Sequence, residues 1–242
     1  MKPAEAKRLA ALAGGEGDTW TAKSIQRLWA GMGTIYELSC GDQRIIAKVV
    51  KLLKRCDSVG DQRKAKSYEC EAAFYRDGYA AQLLDAGVVV PRPLHVEARS
   101  DGVTIVMSRL DGRPGAFDRR GTETALAALA KLHACFWGPR ADAAVAGGLQ
   151  EQGTMWYLDT RKDEFDAMPT RGWEGRLRLA AKAIDERLKA DPMQSVVHGD
   201  PKDANFYFAA GGSAQIKFRG ASPHDQHAID ATPARRRGGA VL

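Results

Sequence analysis

The segment His198–Asn205, HGDPKDAN, sets a carboxylate, Asp200, five residues before an amide, Asn205. Phosphoryl transfer uses that pair. A carboxylate accepts the proton of an attacking hydroxyl, and an amide oxygen is a hard ligand that suits magnesium on a phosphate. Lys202 follows the carboxylate closely enough to neutralise a phosphoryl group in transfer. A polar turn in which Asp and Asn bond the local backbone explains the same composition.

A second cation, Lys48, sits inside the apolar run IIAKVV, where alternation groups it with Ile46 and Val50. It needs an anion or a route to water, because an unpaired buried charge is costly. Glu71, 23 residues later on a predicted helix, is a suitable anion. A Lys–Glu pair of this kind holds a lysine against nucleotide phosphates. Gly31 and Gly33, in WAGMGTIY, lie in a turn before a strand. Bare glycine backbone there lets N–H groups approach phosphates, and it equally suits an ordinary hairpin entry.

The elements that must position these residues read in order. Residues 1–30 look helical, with Asp18 or Thr19 capping a turn into an Ile25, Leu28, Trp29 face. TIYELS and QRIIAKVVKL read as strands joined at Cys40–Gln43, and residues 54–66 as a polar, mostly cationic loop. A helix is predicted from about Ser67 to Asp85, ended by Gly87. A second hairpin turns at Ser100-Asp101-Gly102, and DGRPG at 111–115 is a break. Helices follow over about Thr122–Phe136, with Leu126, Leu129, Ala130 and His133 at helical spacing, and about Glu174–Ala190. SVVHGD reads as a short strand, and FYFAAGGSAQIKF as strand sequence interrupted by a Gly-Gly turn. Past Gly220 apolar periodicity is lost, which predicts a disordered tail. Strands with one helix, a linker, then helices with a strand pair make two lobes, and ligands often sit between such lobes.

Composition narrows the classes. The 242 residues are 44 % hydrophobic and 27 % charged, an ordinary globular balance. No apolar run reaches the roughly 18 residues of a membrane helix, and MKPAEAKRLAALAGG lacks a secretory apolar stretch. Cys40, Cys56, Cys70 and Cys135 form no CxxC pair, so neither a zinc site nor a disulfide framework is expected, and reduced thiols in the cytoplasm are. The net charge is +6, and residues 217–242 carry half of it, including Arg235–Arg237. That is weak support for nucleic acid and fits an anionic small ligand.

The order GxG, strand lysine, helical glutamate, hinge-like strand, HGDxxxxN is that of a protein-kinase-like phosphotransferase. The chain resembles the aminoglycoside phosphotransferase and choline kinase group of that superfamily. HGDPKDAN matches the group's HGDxxxxN, with Gly199 where protein kinases carry arginine. SYECEAAFY, LAALAKLHACFWG and MWYLDTRKDEF look like the branch called ecdysteroid-kinase-like or CHK-kinase-like. The resemblance covers about residues 20–216. It implies a two-lobed α+β protein-kinase-like fold: a nucleotide-binding lobe over 1–107, a hinge over 108–116, a partial catalytic lobe over 117–220 and a tail over 221–242.

The resemblance also implies ATP and Mg2+ as cofactors and a small hydroxylated acceptor as partner, with no nucleic acid or membrane. Asp200 becomes the general base, Lys202 a catalytic cation and Asn205 a magnesium ligand. Lys48 holds the α/β-phosphates, Glu71 orients it, and Gly31 to Gly33 cover the phosphates. Val106 to Leu110, with Met107, become the hinge that receives adenine. His133 and Trp137 are expected to pack one helix face. Asp163, Glu164 and Asp166 are candidates for a cationic acceptor, and a solvated helix face explains them as well.

The chain departs from the group at one residue. A second magnesium-binding aspartate, in a DFx or DWx context, is expected about seventeen to twenty positions after the catalytic one. Lys217, before Phe218, stands at its place. A cation there repels magnesium. The group's large lobe also continues for several helices, so an apolar face is expected to be exposed here. Three readings of the ending stay open: a shifted reading frame after about Gly212, a shortened inactive form that binds a nucleotide or partner, or a replacement ligand from Asp225 or Asp230.

Overall fold

The computed structural model describes residues 1–28, 31–52, 58–114, 117–153, 158, 161–209 and 214–216. The fold is α+β, an antiparallel sheet lobe followed by a mainly helical part with a small second sheet.

Helix α1 (Pro3–Leu12) buries Ala6, Leu9 and Ala10 against one face of the first sheet. Strand β1 (Thr21–Arg27) lies at the sheet's edge and pairs antiparallel with β2 (Gly33–Cys40). This corrects the helix expected through Ile25 and Leu28. An edge strand exposes most of its residues, and a register irregularity between Ser24 and Gln26 breaks the alternation. Trp29 lies outside the described residues.

The pair β2 and β3 (Gln43–Lys51) is joined at Gly41-Asp42, where Gly41 takes the left-handed φ of 55° that a two-residue turn requires. Helix α2 (Val59–Arg76) starts eight residues before the expected Ser67. Ser58 caps it, its hydroxyl accepting from the Asp61 N–H at 3.0 Å and donating to the Asp61 carboxylate at 2.8 Å. Gly78, with φ 89°, separates α2 from α3 (Tyr79–Asp85), dividing what was read as one helix.

Strands β4 (Pro93–Arg99) and β5 (Gly102–Ser108) complete the sheet in the order β1-β2-β3-β5-β4. Leu38, Ala47 and Val106 face α1, whereas Ile35, Val50 and Ile105 join Tyr68, Ala72 and Tyr75 of α2. Period-two alternation thus puts Lys48 on the α2 face with Val50.

Strand β6 (Arg113–Pro114) lies beside β7 (Phe206–Phe208), and β7 beside β8 (Ala214–Ile216). In chain order α4 (Arg119–Cys135), which packs on β8, α5 (Pro139–Ala146), α6 (Lys162–Ala167) and α7 (Gly172–Lys189) lie between β6 and β7. One core joins the two parts. Phe74 and Tyr79 stack, Tyr79 meets Phe136 edge-on, and Leu132, Phe206 and Ile216 continue the same cluster.

Among the described residues SVVHGD joins no ladder; an isolated bridge links Ser195 to Trp137. Trp137 lies beyond the end of α4 and is 48 % exposed, so it does not pack a helix face with His133. Leu126 is exposed too. Helix α7 presents Trp173, Leu177, Ile184 and Leu188 to solvent at helical spacing. Among the described residues no helix is long and apolar enough to cross a membrane, and Cys40, Cys70 and Cys135 are free thiols. The Gly-Gly turn, Cys56, Lys217 and the expected tail lie outside the described residues.

Candidate phosphate and hydroxyl site

Strand β3 carries Lys48 under α2, where its ammonium donates to the Glu71 carboxylate; the two residues are 2 % and 7 % exposed. The 23-residue expectation thus holds in space. Desolvation makes this pair a specific one, because neither charge has water as an alternative partner.

The second half of the site is a loop after residue 195. Gly199 has φ 82°, and a Cβ there would stand 2.6 Å from the Gly153 carbonyl oxygen. Both the backbone conformation and the space demand glycine. The buried His198 ring holds the next residue in place, its Nδ1 accepting from the Asp200 N–H at 3.2 Å. A 3-10 turn over Asp203–Asn205 then returns the chain toward Asp200.

Asn205 is fully buried. Its Nδ2 donates to the Asp200 carbonyl at 2.7 Å and to Asp200 Oδ2 at 3.0 Å. Two acceptors on one side fix the amide orientation, so Oδ1 is the atom left over, and it has no donor among the described residues. Lys202 Nζ lies 3.3 Å from Asp200 Oδ2. Asp200 therefore spends Oδ2 on Asn205 and Lys202, and Oδ1 makes no bond among the described residues. That oxygen can take a proton from a hydroxyl.

A buried amide oxygen without a donor fits a hard cation such as magnesium. The described residues hold no group of three His, Cys, Asp or Glu that would complete a metal site. The fit is thus to one ligand, Asn205.

One residue of this site was not anticipated. Lys64, within the stretch read as a cationic loop, is on α2 two turns before Glu71, with Tyr68 between them. It is 1 % exposed, and its Nζ has no hydrogen-bond partner among the described residues. Burial and the nearby Lys48 ammonium push its amine down to about 7, against an opposing pull from Glu71 and Asp200. The Lys64–Tyr68–Glu71 spacing, one face of a helix, is the signal that would have found it.

Unfolded, the Lys64 amine keeps its proton up to about 10.5, its ordinary value; folded, it loses it above about 7. Between those values the unfolded chain binds more protons, so stability rises with pH; below pH 7 the full cost of the buried charge is present. Urea unfolding of the chain and of Lys64→Met at pH 7 and pH 9 is expected to show this rise only with Lys64, approaching about 1.4 kcal/mol per pH unit.

Other sequence-stated residues fall differently. Gly31, with φ 70°, lies in the β1–β2 turn. Gly33 is explained by packing: a Cβ there would meet the Val49 carbonyl oxygen at 2.1 Å, so the β2–β3 approach itself requires glycine. Met107 is buried in β5 opposite Ile46. Asp163, Glu164 and Asp166 are exposed on α6, where Arg161 and Lys162 pair with Glu164 and Asp166. A groove of about 310 Å³ on the outer face of α2, lined in part by Lys66, Glu69, Arg76 and Arg99, includes none of the chemical residues.

A family model described as phosphotransferase enzyme family, APH, matches residues 38–216. No curated protein matches the chain. Among solved structures, the chain is similar to the aminoglycoside phosphotransferase APH(3'')-Id of Streptomyces rimosus, at 16 % identity over 90 % of this chain and 76 % of that one, TM-score 0.48. It is similar to an ethanolamine kinase of Plasmodium vivax, at 11 % identity over 83 % and 55 %, TM-score 0.44. It is also similar to the bifunctional kinase-methyltransferase WbdD, at 13 % identity over 83 % and 33 %, TM-score 0.40. The chain thus spans a third of WbdD.

Proposed function

The chain belongs to the phosphotransferase enzyme family, and on that premise we propose that it transfers the γ-phosphoryl group of ATP to a hydroxyl of a small molecule. The observation that carries this is the Asp200–Asn205 loop, with one carboxylate oxygen and one buried amide oxygen left over for chemistry. The acceptor hydroxyl attacks the γ-phosphorus and gives its proton to Asp200 Oδ1. The bond to the β-phosphate oxygen breaks and ADP leaves. Lys202, beside Asp200, offsets charge on the phosphoryl group in transfer. Lys48, steadied by Glu71, binds the α/β-phosphates; Gly31 and Gly33 cover them; the segment around Met107 receives adenine. Asn205 Oδ1 would hold magnesium, which when bound neutralises phosphate charge.

We assign the chain to the CHK-kinase-like branch on SYECEAAFY and LAALAKLHACFWG, with lobes over 1–107 and 117–220 about a hinge at 108–116, and a cytoplasmic setting that suits free thiols.

Lys217, in place of an acidic residue, favours a second reading, a kinase-like protein that binds nucleotide without turning it over. Transfer of labelled γ-phosphate to a panel of hydroxylated metabolites, with Lys217→Asp in parallel, separates the two. Lys217→Asp is expected to raise magnesium-dependent transfer roughly tenfold or more, because a cation is exchanged for a ligand. ATP binding with no transfer by either chain would favour the binding reading.

A further inference from the structure

Lys64 is a buried ammonium with no hydrogen-bonded anion among the described residues. Glu71, seven residues further along the same helix, already receives the Lys48 ammonium. The Tyr68 ring lies between the two lysines, with Lys64 Nζ 4.8 Å and Lys48 Nζ 5.1 Å from its centroid. Such ring contacts help a cation but do not replace a counter-ion.

The position of Lys64 is fixed from both sides. Its neighbour Arg63 donates to the Gln152 carbonyl, and the next carbonyl, that of Gly153, abuts Gly199 beside Asp200. This end of α2 is thereby seated against the loop that carries Asp200, and Lys64 feels the charges of Asp200 and Lys202 as well as those of Lys48 and Glu71. Among the described residues, the charges that act on Lys64 are those of two further lysines, 48 and 202, and two carboxylates, Glu71 and Asp200. With Lys64 itself the excess is positive, and it is felt both by the pair assigned to the α/β-phosphates and by the pair assigned to transfer.

We propose that Lys64 is an additional phosphate-binding residue, whose ammonium takes the β- and γ-phosphates of the nucleotide. This rests on the phosphotransferase reading. The missing counter-ion is then the nucleotide itself: Lys64 is destabilising in the empty protein and becomes paired on binding. Charge that magnesium neutralises in a two-aspartate site is here offset in part by a side chain, so ATP binding depends only weakly on magnesium.

The test is calorimetric titration of the full chain and of Lys64→Met with ATP and with adenosine, in two buffers of different ionisation heat. Lys64→Met is expected to bind ATP roughly 10- to 100-fold more weakly and adenosine unchanged, to lose the proton uptake that accompanies ATP binding near pH 7, and to have a higher Tm. Lys64→Arg is expected to recover part of the ATP affinity. Equal ATP affinity in Lys64→Met and the unsubstituted chain overturns the proposal. A folded unsubstituted chain that binds neither ATP nor adenosine overturns the phosphotransferase reading as well. Should Lys64→Met not fold, NMR titration of the Lys64 side chain in the unsubstituted protein decides: its midpoint rises with ATP and not with adenosine, and an unmoved midpoint overturns the proposal.

Discussion

Asp200→Asn is expected to lower phosphoryl transfer about 10²- to 10⁴-fold while leaving ATP affinity within a few-fold. The side chain that replaces Asp200 has the same size, and its amide oxygen can still accept from Asn205 Nδ2, which now donates to Oδ2 at 3.0 Å. The loop is also held by bonds that the substitution leaves alone: Asn205 Nδ2 to the residue-200 carbonyl and the residue-200 N–H to His198 Nδ1. What disappears is the anionic oxygen that accepts the proton. Single-turnover rates beside ATP titrations check the split. A parallel loss of ATP affinity and rate would mean that Asp200 supports the loop and does not act on the hydroxyl.

Glu71→Ala is expected to destabilise the chain by about 3–5 kcal/mol, because it removes the carboxylate to which the buried Lys48 ammonium donates. Lys48 is 2 % exposed, and Lys64, also cationic, shares the Tyr68 ring with it, so little relief comes from rearrangement. The paired change Lys48→Met with Glu71→Leu is expected to restore most of that stability, since an apolar pair of similar volume replaces two desolvated charges, and to leave ATP binding weak. Denaturant midpoints and ATP titrations on both variants measure this. A midpoint unaffected by Glu71→Ala would mean that Lys48 reaches water.

Much of the site was legible because its residue types are improbable where they stand. A lysine within IIAKVV needs an anion or a route to water, and the structure pairs it with Glu71. HGDPKDAN was legible through spacing, and its glycine is required by a left-handed φ and the Gly153 carbonyl. The antiparallel hairpins followed from alternation and from Gly41 and Gly102.

Two elements escaped the sequence because they lack apolar periodicity. The first turns of α2 read as a loop because the residue they bury at position 64 is a lysine. Strand β1 escaped because most of it faces water and its register shifts. The Trp137 assignment failed because α4 ends at Cys135, so a spacing of four no longer meant one face. Glycine at position 33 also has a packing reason that spacing does not reveal, the Val49 carbonyl.

The most direct test of the central claim is transfer of the γ-phosphate of labelled ATP by the purified full chain, with Asp200→Asn beside it, over a panel of hydroxylated small molecules. The expected result is label on at least one acceptor hydroxyl, dependent on Asp200. A folded chain that binds ATP and labels none of the panel, or labels it equally with Asp200→Asn, would contradict phosphoryl transfer at this site.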